Sequence, residues 1–166
     1  MITIISGSNR ADNNTRKIAE EYQRILKDRN LDSELLALDE TAVYTRDAEF
    51  ISMENKYLAP ADRFIIIFPE YNGSYPGILK LMIDNSDVGK SWKFKKALLT
   101  GVATGRAGNL RGLEHLTGSL LHMKTFVHPN RLPISVVNKV MDEGNHINDP
   151  STLQAINTQL DEFLTF

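Results

Sequence analysis

Phe64-Ile65-Ile66-Ile67-Phe68-Pro69-Glu70-Tyr71-Asn72-Gly73-Ser74-Tyr75-Pro76-Gly77, running into Ile78-Leu79-Lys80-Leu81-Met82-Ile83-Asp84, decides the fold. Its first five residues are large and apolar, three of them β-branched, which suits a strand covered on both faces, as in parallel sheets flanked by helices. Pro69, Gly73, Pro76 and Gly77 then forbid regular structure. Beyond them Ile78/Leu79 and Met82/Ile83 recur four residues apart, as on one face of a helix. Pro76 fits the first helical turn, where its missing N–H is not needed. In a parallel α/β sheet a polar loop between strand and helix lies at the carboxyl edge, where ligands bind.

Outward from this segment, Ile2 to Ser6 reads as a short buried strand that Gly7 ends at a sharp turn. The polar loop Ser8-Asn9-Arg10, with Asn13 and Asn14, leads into a helix from Thr15 to about Asp28, marked by Ile18, Tyr22, Ile25 and Leu26. Leu35 to Leu38 is a second strand. Residues 39–62 show no clear period and read as a loop and one helix around Phe50 to Leu58. The stretch from Asp87 to Lys96 is a charged connection, Ala97 to Ala103 a buried strand, and Thr104-Gly105-Arg106-Ala107-Gly108-Asn109 a second glycine-rich loop. Leu110, Leu113, Leu116, Leu120 and Leu121 mark the next helix. Phe126, Val127 and Ile134 to Val137 are extended, and Pro129 and Pro133 make 126–137 a bent edge strand. Leu153 to Leu164 closes as an amphipathic helix that Asp149-Pro150-Ser151 can cap.

Strands alternating with helices imply a doubly wound, three-layer α/β/α sandwich with a five-stranded parallel sheet, and the length suits one domain over 1–166. The first glycine loop lacks G-x-G-x-x-G, which favours the flavodoxin order 2-1-3-4-5, with its mononucleotide site between strands one and three. Ser8, Arg10, Asn13, Asn14 and Thr15 then offer hydroxyl, amide and guanidinium donors at a helix start, as a phosphate needs, although Asn and Thr also serve as plain helix caps. Tyr71 and Tyr75 read, without further information, as a tight turn covering the core.

Composition narrows the function classes. The 166 residues are 42% hydrophobic with a net charge of −2, without the basic surplus of a nucleic-acid binder. No cysteine is present, which excludes disulfides and thiolate chemistry. His115, His122, His128 and His146 lack metal-ligand spacing, no G-x-S-x-G elbow occurs, and no paired carboxylates stand out, so neither a metal site nor a hydrolytic catalyst is expected. With no room for a leader before Ile2 and no apolar run of spanning length, the expectation is a cytoplasmic protein without a membrane partner.

Gly7-Ser8-Asn9-Arg10 with Asn14-Thr15-Arg16-Lys17, joined to Pro69-Glu70-Tyr71-Asn72-Gly73-Ser74-Tyr75-Pro76-Gly77-Ile78-Leu79-Lys80, resembles the NADPH-dependent FMN reductase family, which has the flavodoxin-like fold. The likeness extends to Gly105-Arg106-Ala107-Gly108. It implies FMN as cofactor and NADPH or NADH as donor, with hydride passing to the flavin and electrons moving on to a small-molecule acceptor such as a quinone, free flavin, azo dye or metal oxyanion. It further implies that Ser8, Arg10, Asn13, Asn14 and Thr15 hold the phosphate. Pro69, Glu70, Tyr71, Asn72 and Gly73 would line the isoalloxazine, with Asn72 among the residues nearest the ring, and Thr104, Gly105 and Arg106 would close the pyrimidine end. At Asn13 the family usually has a small serine. The cofactor does the bond-making in this chemistry, so no catalytic side chain is expected. Family members form dimers or tetramers, and a homodimer is expected here. The alternative is a flavin-binding electron carrier without substrate turnover, although such carriers have more acidic surfaces and a Thr/Ser-rich phosphate loop.

Overall fold

A computed structural model describes residues 1–166. Strands β1 (Ile2–Ser6), β2 (Ser33–Ala37), β3 (Arg63–Pro69) and β4 (Lys96–Val102) run parallel in the order β2-β1-β3-β4, and two short strands, β5 (Phe126–Val127) and β6 (Leu132–Ile134), both pair with β4 at its open edge. This is the flavodoxin-like order. The single bent strand expected over 126–137 is two pieces in the same sheet position. The break falls at 128–131, where Pro129 has no N–H to give, and Val136 turns into the left-handed region at φ 49°, so extended backbone ends before the 3-10 turn that begins at Val137.

The side chains of β3 divide between the two faces of the sheet. Phe64, Ile66 and Phe68 pack with Ile5 and Leu99 beneath helices α2 (Ala48–Met53), α3 (Gly77–Asn85) and α5 (Leu110–His122). Ile65 and Ile67 pack with Ile4 and Leu98 beneath α1 (Asn14–Asp28) and α6 (Pro150–Thr165). Both faces are covered, and for that reason the strand reads as an unbroken apolar run rather than an alternation. All of Phe64 to Phe68 is fully buried. Each such side chain contributes about 1.5–3 kcal/mol, so this strand anchors both layers.

Because α1 and α3 lie on opposite faces, the chain leaves β1 and β3 in opposite directions, and a crevice opens between them. Register keeps the strand ends level, with Ser6 opposite Ile67 and Pro69 opposite Val102, so loops 7–13, 70–76 and 103–109 emerge along one edge. At Gly7 the demand is for close approach. Its N–H donates to Ile67 O at 2.8 Å, and a Cβ would stand 3.0 Å from Phe68 Cβ.

Two segments differ from the sequence reading. Over 39–62 the helix α2 runs on into a π-helical turn, Glu54–Leu58, closed by Ala59 N–H to Glu54 O at 2.8 Å. The wider turn shifts the buried positions, and one of them is Glu54, fully buried beneath Arg46 Nη2 at 2.8 Å, Ser91 Oγ at 2.9 Å and the Asp87 amide at 2.6 Å. Within the charged connection, Val88–Ser91 forms a single helical turn, α4, whose start is capped where Asp87 accepts from Lys90 N–H at 3.1 Å.

Candidate functional site

At the carboxyl edge, a cleft of about 510 Å³ opens over the divergence of β1 and β3. That volume lies within the roughly 300–1,000 Å³ of small-molecule sites. Arg10, Asn13, Asn14 and Thr15 line it from the β1–α1 loop, Pro69, Glu70 and Tyr71 from the β3 exit, and Thr104, Gly105 and Arg106 from the loop after β4. The structure thus brings all three sequence-predicted groups to one cavity. Ser8, Asn72 and Gly73 stand apart from the lining.

The β1–α1 loop is tied back on itself. Asn13 caps α1, its Oδ1 accepting from Arg16 N–H at 2.8 Å, while its amide nitrogen donates to Arg10 O at 2.6 Å and Asp39 Oδ2 at 3.3 Å. Both amide hydrogens are therefore engaged within the protein, and Asn13 shapes the loop instead of offering a free donor. A serine could not reach both acceptors, which is what the longer side chain adds at this position. The first amides of α1, those of Asn14 and Thr15, have no partner inside the helix, and the dipole adds partial positive charge there. The Asn14 side chain donates to Asn138 Oδ1 at 2.8 Å, which ties the 137–139 turn to this end of the cleft.

Arg10 is exposed, its guanidinium 4.2 Å from the centre of the Tyr71 ring. Beneath that ring the fully buried Ser8 hydroxyl shares a hydrogen bond of 2.8 Å with the Tyr71 hydroxyl. Ser8 thereby fixes the aromatic wall from below. Asp12, also on the rim, is neutralised by Lys17 at 2.8 Å, and that contact holds its carboxyl below the usual range.

The β3 exit loop is more regular than its prolines and glycines suggest. Tyr71 N–H donates to Ser74 O at 2.9 Å and Ser74 N–H to Tyr71 O at 3.2 Å, around Asn72 at φ 53° and Gly73 at φ 81°. Two central residues at positive φ define a type I′ hairpin, the turn that Asn-Gly favours. Ser74 Oγ is held by His115 Nδ1 of α5 at 2.9 Å. Tyr75 turns inward, edge-on to Phe68 with ring centres 6.5 Å apart, and bonds Ser119 Oγ at 3.0 Å, so of the two tyrosines only Tyr71 faces the cleft.

The sequence model of the family described as NADPH-dependent FMN reductase matches residues 1–138. The chain belongs to this family. It is 23% identical over 171 residues to a 2-hydroxy-1,4-benzoquinone reductase of Burkholderia sp., covering 98% of this chain and 93% of that one. An NAD(P)H-dependent FMN reductase of Pseudomonas aeruginosa is 32% identical over 105 residues, covering 60% of this chain and 56% of the relative. Among solved structures, the flavoenzyme NAD(P)H:(acceptor) oxidoreductase FerB of Paracoccus denitrificans superposes with a TM-score of 0.81 at 25% identity, over 99% of this chain and 94% of that chain.

As an FMN reductase of this family, the chain is an oxidoreductase with FMN as its cofactor and a nicotinamide as its donor. The cleft's chemistry suits FMN: free helix amides, a guanidinium, an aromatic side chain and backbone-rich loops line the one cavity. Sequence reasoning missed the apolar floor of Val102, Ala103, Ala107 and Val137.

Proposed function

We propose that the cleft holds FMN with its phosphate at the start of α1, near Arg10, Asn14 and Thr15, and its ring between the Pro69–Tyr71 and Thr104–Arg106 walls. From there the chain passes electrons from NAD(P)H to a small-molecule acceptor of the quinone, flavin, azo or metal-oxyanion kind. The observation that carries it is the coincidence of the topological switch point, the unpaired first amides of α1 and the Arg10 guanidinium in one cavity. When bound, FMN supplies the capacity to accept a hydride and release electrons one or two at a time. The chain's own residues bind and orient. Arg10 and the α1 amides balance the phosphate charge, Ser8 holds Tyr71 upright, and the 71–74 hairpin, pinned by His115, sets the edge of the ring wall. No side chain is assigned as an acid–base catalyst.

A balanced net charge of −2 and the arginine in the phosphate loop favour turnover over a pure electron carrier, and we take the protein to act as a cytoplasmic homodimer. Titrating flavin-free protein with FMN, then following NAD(P)H oxidation against a panel of acceptors, tests the reading. Failure to bind FMN would sink it. FMN binding without turnover on any acceptor would leave the electron carrier, and a monomer by light scattering at micromolar concentration would remove the dimer.

A further inference from the structure

Asn109 is fully buried, at φ 67° and ψ 32°, between the 104–108 loop and the start of α5. It gives that helix no side-chain cap. Instead its amide nitrogen donates to Phe68 O at 2.9 Å, the last carbonyl before Pro69 leads the chain along the cleft. Its Oδ1 is buried with no donor.

Room for this side chain is made by two glycines. A Cβ at Gly112 would lie 2.1 Å from Asn109 Oδ1, and one at Gly101 would lie 2.9 Å from Asn109 Cβ. The same Cβ at Gly112 would lie 3.1 Å from the Tyr75 nitrogen. The Tyr75 amide makes no hydrogen bond. A free acceptor and a free donor therefore flank one small gap, at the far end of the segment whose near end Asn109 already holds. Were the residue needed only to end the 104–108 loop, glycine would adopt this φ without burying an unpaired amide oxygen.

We propose that Asn109 is a positioning residue that clamps residues 68–75 at both ends: Nδ2 on Phe68 O at all times, and Oδ1 on the Tyr75 N–H once a flavin seats against Pro69–Tyr71. The inference rests on the reading of the cleft as a flavin site. Hydrogen bonds that serve a ligand are often long or open before it binds and tighten afterwards. The clamp acts on the ring wall and not on the phosphate loop, so it affects FMN and riboflavin alike.

Two measurements test it. In hydrogen exchange of the wild-type protein, the Tyr75 amide is expected to slow at least about tenfold when FMN is added, the size of one hydrogen bond. Asn109→Gly, which keeps the left-handed backbone but removes both contacts, is expected to lose that protection and to weaken FMN and riboflavin by the same factor, again about tenfold. Asn109→Asp serves as a near-isosteric check should the glycine variant unfold. It keeps the acceptor, loses the donor to Phe68 O, and should weaken both flavins while retaining protection at Tyr75. Unchanged flavin affinities in both variants, or a wild-type Tyr75 amide indifferent to FMN, would overturn the clamp alone. A wild-type protein that takes up no flavin would overturn the site reading, and the clamp with it.

Discussion

Replacing Arg10 by alanine removes a guanidinium that shares the cleft with the free amides of α1 while leaving the loop's internal ties in place. Asn13 bonds the Arg10 backbone carbonyl rather than its side chain, so the loop and the cap of α1 survive the change. A hydrogen bond to a charged group contributes roughly 1.5–3 kcal/mol. Set against this, the guanidinium gives up its contact with the Tyr71 face, 4.2 Å away, when it turns to the phosphate. Such contacts contribute about 0.5–1 kcal/mol at exposed sites. The net expectation is a loss of about 1–2 kcal/mol in FMN binding, or roughly five- to thirtyfold in Kd. Riboflavin, which has no phosphate, should bind the variant almost as it binds the wild type. Calorimetric titration of flavin-free protein with both ligands measures the difference directly. Equal losses for FMN and riboflavin would refute the reasoning and assign Arg10 to support of Tyr71.

Gly73→Val should destabilise the protein by about 1–3 kcal/mol, because valine is strained at φ 81°, whereas Gly73→Asn should melt close to wild type. Space is not the obstacle, since the nearest atom to a Cβ there is Arg111 Nη1 at 3.7 Å, so equal melting temperatures for the two variants would count against the turn argument. The cleft should prefer FMN to riboflavin, which lacks the phosphate, and to FAD, whose adenylate finds no dinucleotide loop on this fold, and tight FAD binding by calorimetry would contradict the assignment. For Glu54, burial alone would raise the carboxyl pKa, but Arg46, the Asp87 amide and Ser91 together hold it below the ordinary value. Its stabilisation is therefore complete above that ordinary value and drains away as pH falls through the lowered folded one. Glu54→Gln should cost about 1–3 kcal/mol near neutrality and flatten the acid limb of a denaturation-midpoint profile, and an unchanged limb would show that other carboxylates set it.

What could be read in advance followed from burial on both faces and from chain breakers. The apolar run of β3, the short run of β1 and the glycine and proline loops after them carried the sheet order and the edge on which the site lies. The π-helical turn escaped because its buried register includes a charged residue, Glu54, so no apolar period was there to find. Helix α4 is one turn long, below what periodicity can resolve. Asn72-Gly73 did carry a hairpin signal, hidden among prolines that read only as interruption. Asn13 is different in kind: its residue type announces hydrogen bonding, but where its amide points depends on Asp39, 26 positions away. Asn109 is likewise defined by Phe68, 41 positions earlier, and by glycines whose purpose is invisible until the strands are assembled.

The division of the last sheet position into β5 and β6 also bears on how the protein behaves in a crowded solution. A parallel sheet that ends on a long, flat strand offers its unpaired N–H and C=O groups as a template for the next molecule, the route by which exposed edges seed aggregation. Here the outer margin is two residues, an interruption carrying Pro129, and three residues with Pro133 at their centre. No passing chain finds a continuous ladder on that side, and the proline at 133 has no N–H to give. The margin farthest from β2 is thus closed to strand addition by its own irregularity, without a covering helix.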